Sequence, residues 1–166
     1  MAFLTSPDPQ LLTFKMFKVV ANDPDGDDEY WAGTACAIEP SRFVTKSGSN
    51  GIGVKSVTVK VSFVTRDSWV LKEHTSNAYL LEHERLHYII AICVGRKFYD
   101  DLLAITKPTS GELQSALNEM LAATSSLLET IGHRYDVETR GSRDKNQQAI
   151  WAQRVRGWYT SKRLTW

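Results

Sequence analysis

Leu80-Leu81-Glu82-His83-Glu84-Arg85-Leu86-His87-Tyr88-Ile89-Ile90-Ala91-Ile92-Cys93-Val94 carries two patterns at once. Its first half places two histidines four residues apart with a glutamate directly after the first. Its second half, Tyr88 to Val94, is an unbroken apolar run, which on a helix is buried nearly all round, as in a helix crossing the middle of a domain. Thr75 or Ser76 can cap the start, and Lys107-Pro108 stops the helix after Thr106. The segment therefore reads as one long central helix against which the rest of the chain packs.

On that helix, His83 and His87 fall one turn apart on the same face, so two imidazole nitrogens can converge on one tetrahedral zinc at about 2.0–2.1 Å. Glu84 stands beside them, where its carboxylate can take a proton from an attacking water and hand it to a leaving amine. H-E-x-x-H is the sequence form of that chemistry, and a random shuffle of this composition produces it roughly once in two hundred. A surface helix with two histidines and an acidic neighbour is the plain alternative. The buried run that follows argues against it, because a His-Glu-His set at the mouth of such a helix needs partners to avoid a desolvation cost.

Before the helix the chain reads as strands and loops. Leu11 to Val20 and Tyr30 to Ile38 are expected strands, separated by the acidic turn Asn22 to Asp28. That turn is rich in oxygen donors but has Gly33 or Thr34 where a calcium loop needs a glutamate, so it reads as a solvated turn. Ser47 to Gly53 reads as a flexible loop. In the next segment Val57, Val59, Val61 and Phe63 alternate with Thr58, Lys60 and Ser62, which puts the apolar side chains on one face of a strand. After Pro108 a second helix is expected from Ser110 to about Glu138, with Leu113, Leu117, Leu121 and Ser125 or Leu128 on its stripe. A third follows Arg140-Gly141-Ser142-Arg143, with Trp151, Val155 and Trp158 on one face. The layout is a single α+β domain spanning 1–166, with a mainly antiparallel N-terminal sheet, the H-E-x-x-H helix and two further helices.

Composition narrows the function classes. The chain has 166 residues, 42% of them hydrophobic and 23% charged, the balance of a folded domain with a real core. Twenty basic against nineteen acidic residues leave a net charge of +1, so no overall field draws in nucleic acid. The basic residues of 140–166 read as a solvated helix face. No apolar run approaches the roughly 20 residues that span a bilayer. Cys36 and Cys93 are too few to indicate an oxidising compartment and read as two buried thiols. Met1 to Pro7 lacks the basic and apolar regions of a secretory signal, which points to the cytoplasm if Met1 is the native start.

A catalytic zinc takes a third protein ligand and keeps a fourth position for water. If the helices on either side of Pro108 form an antiparallel hairpin, residues near 129 and 133 come level with His87 and His83. Glu129, His133, Tyr135, Asp136 and Glu138 are then the candidates.

The chain resembles the bacterial family known as domain of unknown function 922, whose members are predicted secreted or periplasmic zinc peptidases. The likeness is carried by Ser68-Trp69, by Leu80 to Ala91, and by Tyr135-Asp136-Val137-Glu138-Thr139 followed by Gln148 and Trp151. Phe14-Lys15 and Thr34-Ala35-Cys36 extend it over most of the chain. The resemblance implies a zincin-like fold, one zinc per chain held by His83 and His87, Glu84 as general base, and a peptide or protein as substrate. It places Tyr135-Asp136 where a third ligand and a carbonyl-polarising phenol belong, with Asp136 as the metal ligand. It also implies that part of Val54 to Thr65 is the edge strand that pairs with an extended substrate, and that the protein works outside the cytoplasm. Members tend to carry His-Gly two residues after the threonine, where this chain has Gly141-Ser142, and Gly where it has Leu86. If that histidine is the family's third ligand, Asp136 or Glu129 has to replace it here, or the site is weak or dead. A catalytically silent protein-binding module is the competing expectation.

Overall fold

The computed structural model of the chain describes residues 3–24, 26 and 30–165. Its centre is the helix α1, Ala78–Ala104, whose N-cap is Asn77: the side chain accepts from the backbone N–H groups of Tyr79 and Leu80. The cap lies one or two residues beyond the expected Thr75 or Ser76. Tyr88 to Val94 are all buried, as their composition requires.

One face of α1 is covered by a sheet of four strands. β1 (Phe3–Thr5), β5 (Gly51–Phe63) and β4 (Cys36–Gly48) lie in the order β1-β5-β4, and β7 (Thr106–Lys107) adds to β5. β4 and β5 form a long antiparallel hairpin closed at Ser49-Asn50, with Gly48 opposite Gly51. The expected flexible loop at Ser47 to Gly53 is therefore mostly hairpin strand; Gly51 supplies the φ of 116° that the turn requires. Val57, Val59 and Val61 turn inward as their alternation predicts. β1 runs parallel to β5, and β7 pairs with Ile52 and Gly53.

This arrangement corrects the expectation for Val54 to Thr65. β5 lies between β1 and β4, so over Thr58 to Lys60 it is an interior strand with no open edge for a substrate.

A smaller sheet of β2 (Lys18–Val20), β6 (Trp69–Leu71) and β3 (Ala32–Gly33), in the order β2-β6-β3, closes the region around the start of α1. β3 is antiparallel to β6 and β2 parallel to it. Leu11 to Val20 is not one strand: Pro9–Leu11 and Phe14–Met16 are short 3-10 turns, which let Leu12, Phe14 and Phe17 all reach the core beside Val70 and Leu80. Tyr30 to Ile38 is likewise split, between β3 and the start of β4. Of the acidic turn, Asp25, Asp27 and Asp28 lie outside the described residues, and Asp23 is buried rather than solvated.

α2 (Ser110–Thr139) opens on a reciprocal capping box between Thr109 and Glu112. Its buried stripe passes through Leu113, Ala116, Thr124, Ile131 and Tyr135, so Ser125 is exposed. α3 (Lys145–Ser161) is capped by Asp144 and buries Gln148, Trp151, Val155 and Trp158. Cys93 is buried and Cys36 half-buried; both are free thiols. Among the described residues no helix is long and apolar enough to cross a membrane.

Gly95 sets how closely α1 approaches β5, since a Cβ there would stand 2.5 Å from Cγ2 of Val61. Gly95→Ala is expected to destabilise the fold by about 1–3 kcal/mol through overpacking. Urea denaturation measures it, and an unchanged midpoint would show that the two layers slide freely.

Candidate metal centre

α1 projects His83 and His87 from successive turns toward α2, where Asp136 meets both. Asp136 Oδ1 lies 3.0 Å from His83 Nε2 and 2.8 Å from His87 Nε2, and the two nitrogens are 3.3 Å apart. Ligands about 2.0–2.1 Å from a tetrahedral ion stand roughly 3.3 Å from one another, so the three atoms are spaced to hold one metal. Two imidazoles and a carboxylate also suit zinc in donor chemistry. Among the described residues these three form the converging donor group.

Of the other candidates, Glu129 and His133 line the cleft beside His87 but lie outside that group. Glu138 accepts hydrogen bonds from Arg134 Nε at 2.6 Å and Trp151 Nε1 at 2.8 Å. Hairpin counting fell about one helical turn short, because the connection between α1 and α2 detours to form β7. Tyr135 is also placed otherwise than expected. Its ring is wholly buried and stacks on His83 at 4.4 Å, with Trp151 5.3 Å behind it, so its hydroxyl cannot reach a substrate carbonyl in the cleft.

The backbone of Asp136 is tied into the end of its own helix. Arg140, Gly141 and Ser142 have φ values of 53°, 56° and 76°, and this left-handed run returns the N–H of Gly141 to the Asp136 carbonyl at 2.9 Å. Position 141 thus supports the third donor through its backbone. Leu86, where the family tends to carry glycine, is a core residue packed with Ile131 and Tyr135.

Electrostatics bind the group together. Burial alone would raise Asp136, but the charge of His87 and hydrogen bonds from both histidines hold it well below the usual carboxylate range. Burial works against charge on His87, yet Asp136 and Glu84 lift it to about 9. Glu84 is buried and is raised by that burial, against the lowering effect of His83 and His87. Cys36 beside it is pushed up to about 12, by burial first and by Glu84 second. A carboxylate raised in this way is suited to holding a proton in transit.

A cleft of about 480 Å³ opens over the centre, walled by Thr34, Trp69, Glu129 and His133 with His87 and Asp136 on its floor. Its outer wall, Ala32 to Cys36, is fixed by Ser68: the buried hydroxyl accepts from Ala35 N–H at 2.9 Å and donates to the Val64 carbonyl at 2.9 Å. Two contributors were not given a role from sequence. Thr34 lies near Glu84 and acts to lower its pKa, without a hydrogen bond of full geometry. Gln148 reaches His83 from α3, with Oε1 3.3 Å from Nδ1. Its place in the quoted tail motif was the available signal.

In chelator-treated protein, Asp136 contributes stability that is present above its ordinary value of 3.8 and is lost as pH falls below it. His87 contributes stability that is full below its ordinary 6.5 and is lost as pH rises through about 9. Asp136→Asn is therefore expected to flatten the decline in unfolding free energy between pH 6.5 and about 9, measured by urea titration. An unchanged slope would mean that Asp136 does not hold the proton on His87.

Comparison with characterised proteins and with solved structures returned no match. A family of bacterial proteins of unknown function, DUF922, matches residues 16–143, a span that takes in both sheets' strands from β2 to β7, all of α1 and α2, and the turn behind Asp136. α3, with Gln148 and Trp151, follows the matched span. A match over most of the chain that includes every donor of the centre makes this protein a member of the DUF922 family of bacterial proteins.

Proposed function

We propose that the protein is a zinc-dependent peptidase with a zincin-like arrangement of sheet, active helix and third ligand. The observation that carries this reading is the convergence of buried His83 with His87 and Asp136, which lie on the floor of an open cleft, and the place of Glu84 on the same turn of α1. Zinc bound there would supply Lewis acidity toward a carbonyl and lower the pKa of a water.

The chain's own groups do the rest. Glu84, between the two histidines in sequence and beneath Thr34 and Cys36, takes a proton from the attacking water and delivers it to the leaving amine. Its neighbours support this role, since the histidines favour its charged form while burial opposes it. An extended peptide has a different docking edge from the one that sequence suggested. β3 ends its sheet, with one edge on β6, and Ala32 to Cys36 form the cleft wall, so strand addition is best supported along this segment. Ser68 holds the wall and Trp69 closes over Gly33, where a Cβ would stand 2.8 Å from the indole nitrogen.

Metal content by plasma mass spectrometry and cleavage of a casein substrate test the reading. About one zinc per chain is expected from the ligand set, lost with turnover in His83→Ala. Glu84→Gln should retain zinc and lose about a hundredfold or more in kcat. Normal turnover in Glu84→Gln would sink the mechanism. Zinc bound without cleavage of any peptide would favour the silent binding module.

A further inference from the structure

We propose that Gln148 is a positioning residue for the metal centre: it holds His83 in the tautomer with the proton on Nδ1, and so turns the Nε2 lone pair toward the metal. The inference deepens the reading of the centre given above and rests on it.

Gln148 is buried in the first turns of α3. Its side-chain amide touches two groups of α1: Oε1 is 3.3 Å from His83 Nδ1, and Nε2 is 3.3 Å from the backbone carbonyl of Tyr79. The identity of each end follows from chemistry. A backbone carbonyl only accepts, so the end facing Tyr79 is the NH2 group. The oxygen therefore faces His83, and because it too only accepts, Nδ1 must carry the hydrogen. In the neutral ring the lone pair is then on Nε2, the atom that stands 3.0 Å from Asp136 Oδ1 and 3.3 Å from His87 Nε2.

Tyr79 is one helical turn before His83, and in an α-helix its carbonyl also accepts the N–H of residue 83. Gln148 thus ties the imidazole to the turn that carries it. Trp151, on the same face of α3, packs on Tyr135, and Tyr135 stacks on the His83 ring. One helix face controls the ring at its edge through an amide and at its face through aromatic packing. Delivery of that face is set by Asp144, whose N–H reaches the Thr139 carbonyl at 2.8 Å and whose carbonyl accepts from Gln148 N–H at 3.0 Å. An amide is also the acceptor that adds no negative charge beside the buried Glu84. A carboxylate there would push the glutamate further from its charged form.

The test uses the full chain with two substitutions. Gln148→Met keeps the length of the side chain and removes the acceptor; Gln148→Glu, as the neutral acid, keeps an acceptor oxygen for Nδ1 and an O–H for the Tyr79 carbonyl. Zinc affinity is measured by competition with a chromophoric chelator, and thermal melts of stripped protein check folding. Gln148→Met should bind zinc about 10–100-fold more weakly than the unaltered chain, and Gln148→Glu within about threefold of it. In 15N-labelled protein loaded with cadmium-113, coupling should appear at His83 Nε2, with a proton on Nδ1.

Affinity of Gln148→Met within twofold, or equal weakness of both variants, would overturn the proposal by reducing Gln148 to packing. Cadmium coupling at Nδ1 would overturn it too, and this is read on the unaltered chain even if a variant fails to fold. Absence of zinc binding by the unaltered chain would overturn the metal reading and this proposal together. Zinc binding with an unaffected Gln148→Met variant would overturn this proposal alone.

Discussion

A helix buried on every side cannot carry ionisable groups unless each finds a partner, because the interior solvates them poorly. α1 is such a helix from Tyr88 to Gly95, and it places His83, Glu84 and His87 within about one turn of each other at the edge of that stretch. The rest of the molecule answers that constraint. The long hairpin and its valine face cover one side of α1. α2 brings a carboxylate to both imidazoles, and α3 brings an amide to one of them. Three helices are required because each contributes a polar atom that the other two cannot.

Backbone rules fix where those atoms arrive. α2 could not extend past Thr139 and still return α3 across the start of α1, and the reversal is made by three consecutive left-handed residues. Gly141 adopts that conformation at little cost, whereas Arg140 and Ser142 do so against the preference of their side chains. Ser142 is also buried, and its hydroxyl has no partner among the described residues. Strain and an unsatisfied hydroxyl thus coincide at the turn that follows Asp136 and launches Gln148. Such a turn persists only because the packing around it leaves no alternative.

Much of this was legible in the sequence where a periodic pattern and a local stop signal agreed. Tyr88 to Val94, the valine alternation of β5 and the Trp151, Val155, Trp158 face all specify burial by spacing alone. His83, Glu84 and His87 were legible because their geometry is internal to one helix. Asp136 was one of several candidates, since its position depends on how two helices cross, and the β7 detour shifted the simple count. Leu11 to Val20 failed for another reason: consecutive 3-10 turns bury apolar side chains without a period of two, which no strand template anticipates. Strand order was the least legible, because the alternation of β5 reports which face is buried and says nothing about which edges are paired. The fate of Tyr135 depended on the same missing knowledge. Its neighbour Asp136 projects toward the imidazoles, while its own ring turns into the core formed with α3.

The interior cost of this arrangement falls on Glu84. Oε2 of Glu84 and Oγ1 of Thr34 are buried without hydrogen-bond partners among the described residues. A fold selected only for stability would have little reason to keep them, since each lost bond to water costs on the order of 1–3 kcal/mol. The positive potential of the two histidines is what makes a charged Glu84 tolerable, and Asp136, itself negative, works against that effect. A divalent cation at the three donors would reverse the balance, cancelling the charge of Asp136 and adding a positive field beside Glu84. The unsatisfied carboxylate and the convergent donor set are thus two halves of one electrostatic problem, and the same ion addresses both.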